Sequence, residues 1–311
     1  MKAAPQDPAN RSRSAALSTV MAVIERAERQ LIGAKVSFGH GTDNAFDEAV
    51  WLVLWRLGLP LDDLDSVADK ILTQEQLAQV ATVIDERIAS RKPAAYLTQE
   101  AWLQGVPFFV DERSIVPRSL IAELLADGSI DAWMSQEPSR VLDLCTGNGS
   151  LAVLAAMVWA DAAVDAADIS GDALEVARIN LQRHALEDRI TPLVSDGLRD
   201  ITAAYDLILC NPPYVNSASM QALPAEYRAE PSLALAGGTD GMDFIRVLLA
   251  DAAQRLAPGG VLVLEIGNER AHFEAAFREL APVWMETSAG EDQVLLLERA
   301  ALEGHGHGAE S

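Results

Sequence analysis

Only two of the 311 residues are cysteines, Cys145 and Cys210. Two are too few for a disulfide framework or a cysteine-based zinc site, so a reducing compartment is expected. Long apolar runs are also missing. The longest, Leu151 to Ala160, has half the length a membrane-spanning helix needs and stops at Asp161. The stretch Met1 to Ser18 has charged residues but no apolar core followed by small cleavage residues, so it does not read as a secretory signal. A cytoplasmic location is expected. Positive charge is scarce: 24 Lys+Arg stand against 46 Asp+Glu, a net −22, and no lysine follows Lys92. Residues 111–311 alone carry 13 basic and 32 acidic side chains. A sequence-independent nucleic-acid binder needs a basic face to neutralise phosphates, and this half is poorly equipped to supply one. Such acidity serves solubility or a basic partner.

What is present favours a packed globular chain of about two domains, since half the residues are apolar and 23% are charged. Residues 1–16 lack periodicity and read as a loose tail. From Leu17, the spacing of Val20, Met21, Ile24 and Leu31 predicts a helix. A second, from Ala45 to Leu57, is apolar nearly all round, with Trp51 and Trp55 expected in a core. A third starts at the capping box Thr73-Gln74-Glu75-Gln76 and ends at Pro93. Residues 17–92 therefore read as a helical domain, expected to help choose the substrate. Short aromatic and β-branched runs, Ala95 to Trp102 and Phe108 to Val116, flank Gly105 and Pro107 and suggest a hairpin linker over 93–118.

Over 119–300 the chain alternates strand runs with helical stretches. Strands are expected at Val141–Leu144, Ala163–Ile169, Ile190–Val194, Tyr205–Cys210, Gly260–Ile266, Trp284–Thr287 and Gln293–Leu297. Crossover segments separate the first five, which marks a parallel sheet with helices on both faces. A short connection makes the last two an antiparallel edge hairpin. The fold class is thus α/β, a Rossmann-like seven-stranded sheet with a small N-terminal helical domain. Residues 301–311, including the Gly304-His305-Gly306-His307-Gly308 run, read as a flexible tail rather than a metal site.

Asp143-Leu144-Cys145-Thr146-Gly147-Asn148-Gly149-Ser150 follows the first strand and opens an apolar helix. Gly147 and Gly149 permit a tight turn and close approach to a ligand, and Gly147-x-Gly149-x-x-Ala152 meets the dinucleotide fingerprint. Such a turn alone can be mere packing. Asp168 closes the second strand, where a carboxylate can accept from both ribose hydroxyls, whereas Asp165 sits mid-strand. Ser195-Asp196-Gly197 closes the third. Asp143, Asp168 and Asp196 are expected to face the crevice at the strand ends, where they would repel a pyrophosphate and suit a cationic or zwitterionic nucleoside. After the fourth strand comes Asn211-Pro212-Pro213-Tyr214. Two prolines stiffen the turn and remove donors, leaving the Asn211 side-chain oxygen and the Pro212 carbonyl to accept from one planar NH₂ group. Tyr214 offers a ring for stacking.

Asn211 to Tyr214, together with Asp143 to Gly149, resembles the class I methyltransferases that use S-adenosyl-L-methionine on planar amines. Phe109 to Arg113, Val116-Pro117-Arg118-Ser119, Asp143 to Gly147, and Glu230-Pro231 through Gly237-Gly238-Thr239-Asp240-Gly241 resemble more narrowly the protein-(glutamine-N(5)) methyltransferases. Val-Pro-Arg-Ser and Asp-Leu-Cys-Thr-Gly point to the branch acting on large-subunit ribosomal protein L-three, since the release-factor branch more often reads Pro-Arg-Pro and Leu-Gly-Thr. The resemblance implies that Asp143, Cys145, Thr146, Gly147, Asn148 and Gly149 bind the donor around its amino-acid end. It implies that Asp168 holds the ribose, that Asp196 and Gly197 lie along the adenine, and that Asn211 borders the donor. Asn211, Pro212, Pro213 and Tyr214 would hold the glutamine, with Asn211, Pro212 and Tyr214 catalytic. The family often has an aromatic where Gly197 stands, so the adenine lacks its stacking partner there. Gly237 and Gly238 would shape a loop over the site, where positive φ is needed.

No metal, membrane or direct nucleic-acid contact is expected, and the partner would be a basic, ribosomal protein substrate in ribosome assembly. Three other readings compete: a release-factor glutamine methyltransferase, a nucleic-acid base amine methyltransferase, and a non-enzymatic cofactor-binding assembly module. Arg113 and Arg118 read equally as substrate contacts or surface ion pairs. Cys145 and Cys210, at the ends of neighbouring strands, read as buried small residues rather than a redox pair.

Overall fold

The computed structural model describes residues 18–306. The expected tail at 1–16 and the end of the histidine-containing tail, from His307 onward, lie outside the described residues. The chain divides into a helical unit, whose described parts are residues 18–36 and 44–89, and an α/β unit made of 37–43 and the chain from Ser90 onward.

The helical unit contains α1 (Val20–Gly33), α2 (Ala45–Leu57), the short α3 (Leu64–Val67) and α4 (Gln74–Ser90). Each start is written in the sequence. Thr19 accepts from the Ala22 N–H, and Asn44 accepts from the Asp47 N–H. The Thr73–Gln76 box closes reciprocally at 3.0 and 3.2 Å. Val20, Val23, Ile24, Ala27 and Leu31 form the buried stripe of α1. Trp51 is buried and Trp55 half-buried. Arg87 and Glu48 form a buried ion pair at 2.9 Å.

The long segment of the α/β unit begins with α5 (Ala94–Thr98) and a hairpin of β1 (Ala101–Leu103) and β2 (Val106–Phe108). The expected hairpin arms were longer. Ala94–Thr98 is helical instead, with the Thr98 hydroxyl bonded back to the Ala94 carbonyl, and residues 109–118 run on as irregular chain. Next come α6 (Ile121–Asp127), β3 (Arg140–Leu144), α7 (Ser150–Val158), β4 (Ala163–Asp168), α8 (Gly171–Arg183), β5 (Ile190–Val194) and β6 (Tyr205–Cys210). The chain ends with α9 (Ser217–Ala222), α10 (Asp243–Arg255), β7 (Leu256–Glu265), α11 (Arg270–Ala276), β8 (Val283–Thr287), β9 (Gly290–Glu298) and α12 (Arg299–Gly306). The last helix corrects the expectation of a loose tail from 301. Leu302 is buried there, and Arg299 bonds Glu303 and the Leu256 carbonyl.

Seven strands form one sheet in the order β5-β4-β3-β6-β7-β9-β8. The first five are parallel, and β9 pairs antiparallel with both β7 and β8, as the connection lengths required. Side chains alternate between two cores. Val141, Leu207, Leu209, Val261 and Val263 face one with α6 and α7; Leu142, Leu144, Ile208, Cys210 and Leu262 face the other with α10 and α12. Strand order reverses between β3 and β6, so the chain ends leaving these strands open a crevice at the carboxyl edge.

Candidate active site

The loop after β3 is built from backbone that ordinary side chains avoid. Cys145 lies at φ 61°, Gly147 at 56° and Gly149 at 81°. A Cβ on Gly149 would stand 3.1 Å from that of Ala177, so another residue there would have to push α8 back by a few tenths of an ångström as well as adopt a strained φ. Asp143 braces this loop from inside. It is 1% exposed, and its Oδ2 accepts from the Thr146 hydroxyl and, at 2.9 Å, from the Ala152 N–H. Burial pushes its carboxyl up to about 7. Asp143 thus does not face the crevice as expected; a group committed to two donors beneath the loop holds the loop's shape instead.

Asp168 does stand at the crevice. Its two oxygens accept from the Gly147 N–H at 2.9 Å and the Ser170 N–H at 2.8 Å, which leaves lone pairs on each for a diol. Burial raises its pKa. Asp165 is structural, accepting from Arg140 and Tyr205 at 2.8 and 2.7 Å. A cavity of about 190 Å³ is bordered by Cys145, Gly147, Asp168, Asp196, Gly197, Asn211 and Pro213. Phe244 of α10 also lines it, 3.7 Å from where a Gly197 Cβ would be. An aromatic wall is therefore present, supplied by a different element from the one the sequence suggested. Thr146 and Asn148 border an adjoining cavity of about 30 Å³, and Asn148 Nδ2 is buried without a hydrogen-bond acceptor.

A third cavity, about 130 Å³, is bordered by Arg118, Pro212, Tyr214 and Tyr227. Asn211 borders all three. Among the described residues its side chain takes no hydrogen bond, and the Pro212 carbonyl is likewise unused. The turn itself is held firmly. Val215 N–H donates to the Leu235 carbonyl at 2.8 Å and Gly237 N–H to the Val215 carbonyl at 2.9 Å. Gly237 is needed for close approach rather than for positive φ: a Cβ there would lie 2.7 Å from Tyr214 Cα. Gly238 does adopt φ 89°. The Tyr214 hydroxyl donates to Glu265 Oε1 at 3.1 Å, and its ring lies over Gly267.

Glu265 is a neighbour of the site that motif reading passed over, and Glu230 is one that it quoted without a role. Glu265 ends β7, 4% exposed, and its other oxygen accepts from the Ser119 hydroxyl at 2.6 Å and the Leu120 N–H at 2.9 Å. Burial raises its pKa. Its signal was available, since it is one more acid at a strand's carboxyl end. Glu230 accepts from both Arg118 terminal nitrogens at 2.7 Å and from the Val116 N–H at 2.9 Å. Burial pushes it up, but the Arg118 guanidinium and His40 together outweigh burial and hold it at about 2. Arg118 is thus part of the cavity wall, not a surface pair, while Arg113 pairs with Asp111 at the rim of the larger cavity. Asn180 of α8 was also missed. It accepts from Phe109 N–H at 2.7 Å and donates to the Phe109 and Asn148 carbonyls at 3.0 and 2.8 Å, joining loop to linker. Cys145, just past the end of β3, and Cys210, at the end of β6, are free thiols, and the neighbouring Cys210 thiol and burial raise the Cys145 pKa.

Among the described residues, no three His, Cys, Asp or Glu side chains are grouped to hold a metal, and no helix is long and apolar enough to cross a membrane. The cavities fit a sulfonium nucleoside: a carboxylate for a diol, an aromatic beside an uncluttered glycine, and an orphaned amide donor near the amino-acid end. Residues 129–226 match the model of the methyltransferase small domain. The chain is 53% identical to the ribosomal protein uL3 glutamine methyltransferase of Bordetella pertussis, over 92% of this chain and 97% of that protein. It is 50% identical to the protein of the same name from Burkholderia pseudomallei, covering 91% and 95%, and 48% identical to that of Neisseria gonorrhoeae, covering 93% and 97%. On this identity over nearly the full length of both chains, the chain belongs to the S-adenosyl-L-methionine-dependent ribosomal protein uL3 glutamine methyltransferases.

Proposed function

We propose that the enzyme methylates the side-chain amide nitrogen of a glutamine in ribosomal protein uL3, in the cytoplasm, in support of ribosome assembly. The observation that carries this reading is the position of Asn211: its side chain has no partner among the described residues and borders both the donor cavity and the acceptor cavity. An amide nitrogen is a poor nucleophile because its lone pair is delocalised into the carbonyl. The bound donor supplies an electrophilic methyl group, and orientation is left to the chain. Asn211 Oδ1 and the Pro212 carbonyl accept the two N–H bonds of the substrate amide and turn its nitrogen toward the donor cavity. Alignment of this kind is worth up to about 7–11 kcal/mol. As the nitrogen–carbon bond forms and the donor's sulfur–methyl bond breaks with its electron pair kept on sulfur, the same two oxygens stabilise the positive charge on nitrogen until one N–H proton is relayed through them to solvent.

The chain's net charge of −22 supports a basic protein as partner and disfavours direct contact with nucleic acid. The test is incubation with methyl-labelled donor and a cell extract lacking the modification. Label in uL3, traced to one glutamine by mass spectrometry, is the expected result. Label in a release factor or in nucleic acid, or no label, would overturn the proposal.

A further inference from the structure

Tyr227 borders the acceptor cavity, and its neighbours come from a distant part of the sequence. Residues 37–43, the turn between α1 and α2, group with the α/β unit. Within that turn the Gly39 N–H donates to the Thr42 carbonyl at 2.8 Å, and Gly39 adopts φ 114°. A Cβ on Gly39 would lie 2.4 Å from the Tyr227 hydroxyl oxygen and 3.6 Å from Cζ. The next residue, His40, is 3% exposed, and its ring centroid is 4.2 Å from that of Tyr227. Neither His40 ring nitrogen has a hydrogen-bond partner; Nε2 is 3.4 Å from Glu230 Oε2. From the other side the Arg118 guanidinium carbon stands 5.4 Å from the Tyr227 ring centroid. Tyr227 is therefore gripped between the 37–43 turn and the Arg118–Glu230 pair.

Ordinary packing would place a buried polar ring where it gains hydrogen bonds. His40 gains only the 3.4 Å approach to Glu230, and its burial also fixes an aromatic residue that borders a binding cavity. We propose that the 37–43 turn is a specificity element of the acceptor site: Gly39 and His40 position Tyr227, which packs against the methylene stem of the glutamine side chain. Gly39 and His40 are positioning residues, since they touch Tyr227 rather than substrate. The proposal rests on the reading of this cavity as the glutamine site.

The test is a steady-state comparison on the full chain with purified unmethylated uL3. Gly39→Ala puts a methyl group where the Tyr227 hydroxyl lies, so KM for the protein substrate should rise about tenfold, with kcat and the donor Kd within about twofold. Adding Tyr227→Phe removes the colliding atom and leaves Cζ at ordinary contact distance. The double variant should regain most of the lost affinity, although the strain of alanine at that φ persists. A purely structural role would lower the folded, donor-binding fraction and the apparent kcat, and would leave KM for uL3 unchanged. An unchanged KM in Gly39→Ala, or a double variant no better than the single one, overturns the proposal. If Gly39→Ala does not bind donor, His40→Ala carries the same expectation, and an unchanged KM there overturns it equally. Inactivity of the unmodified enzyme on uL3 would instead refute the assigned substrate, before any variant is compared.

Discussion

Replacing Arg118 by methionine keeps an unbranched stem but leaves Glu230, 4% exposed, without its bidentate partner. Of its hydrogen-bond and ion-pair partners among the described residues, the Val116 N–H at 2.9 Å and His40 at 3.4 Å remain. Breaking a buried pair in this way costs about 3–5 kcal/mol. The carboxyl's displacement gives a similar figure: holding Glu230 at about 2 instead of its usual 4.5 corresponds to about 3 kcal/mol favouring the charged form. Because the folded pKa lies below the unfolded one, this stabilisation is complete above pH 4.5 and is lost as pH falls toward 2. Without the guanidinium, burial dominates and the folded pKa moves above the unfolded one. The variant then recovers stability as pH falls through that raised value, and the gap to the unmodified protein narrows. Urea unfolding followed by circular dichroism at about pH 8 and about pH 5 measures this gap. The expected result is roughly 3–5 kcal/mol at the higher pH and clearly less at the lower. Adding Glu230→Gln should restore part of the loss at the higher pH. A gap below about 1 kcal/mol, as for a surface pair, or one independent of pH, would refute the reasoning.

Asn180→Ala deprives Phe109 and Asn148 of three hydrogen bonds, so a loss of roughly 3–5 kcal/mol in unfolding free energy and weaker donor binding by calorimetry are expected. Gly267→Ala puts a Cβ 2.5 Å from the Tyr214 ring at φ 54°, displacing that ring; kcat/KM should fall while donor affinity holds, and equal losses in both would contradict the placement. If the acidic surface attracts a basic substrate, KM for uL3 should climb steeply between about 0.05 and 0.5 M salt as charges are screened over about 10 Å or less, and a flat response would remove that role.

Much of this was legible in the sequence because local rules carried it. The Thr73–Gln76 cap, the parallel order of β3 to β7 and the antiparallel ending follow from short-range pattern and connection length. Asp168 and Asn211 stand at strand ends, where position alone predicts exposure to the crevice. Asp143 misled for a related reason. It precedes the same glycine loop, but a strand-end carboxylate can bend under the loop toward Thr146 and Ala152 as readily as outward, and spacing does not distinguish the two. Phe244 and Asn180 were hidden on helices whose apolar spacing reads as core. The pairing of His40 with Glu230 joins residues far apart in the chain, a relation no local pattern encodes.

The carboxamide clamp is tested most directly by Asn211→Ala. Donor affinity measured by calorimetry and methyl transfer to uL3 measured in a single turnover should separate, with the first nearly intact and the second abolished. Equal loss of both, or transfer at near the original rate, would contradict the assignment of the amide grip to Asn211 and Pro212.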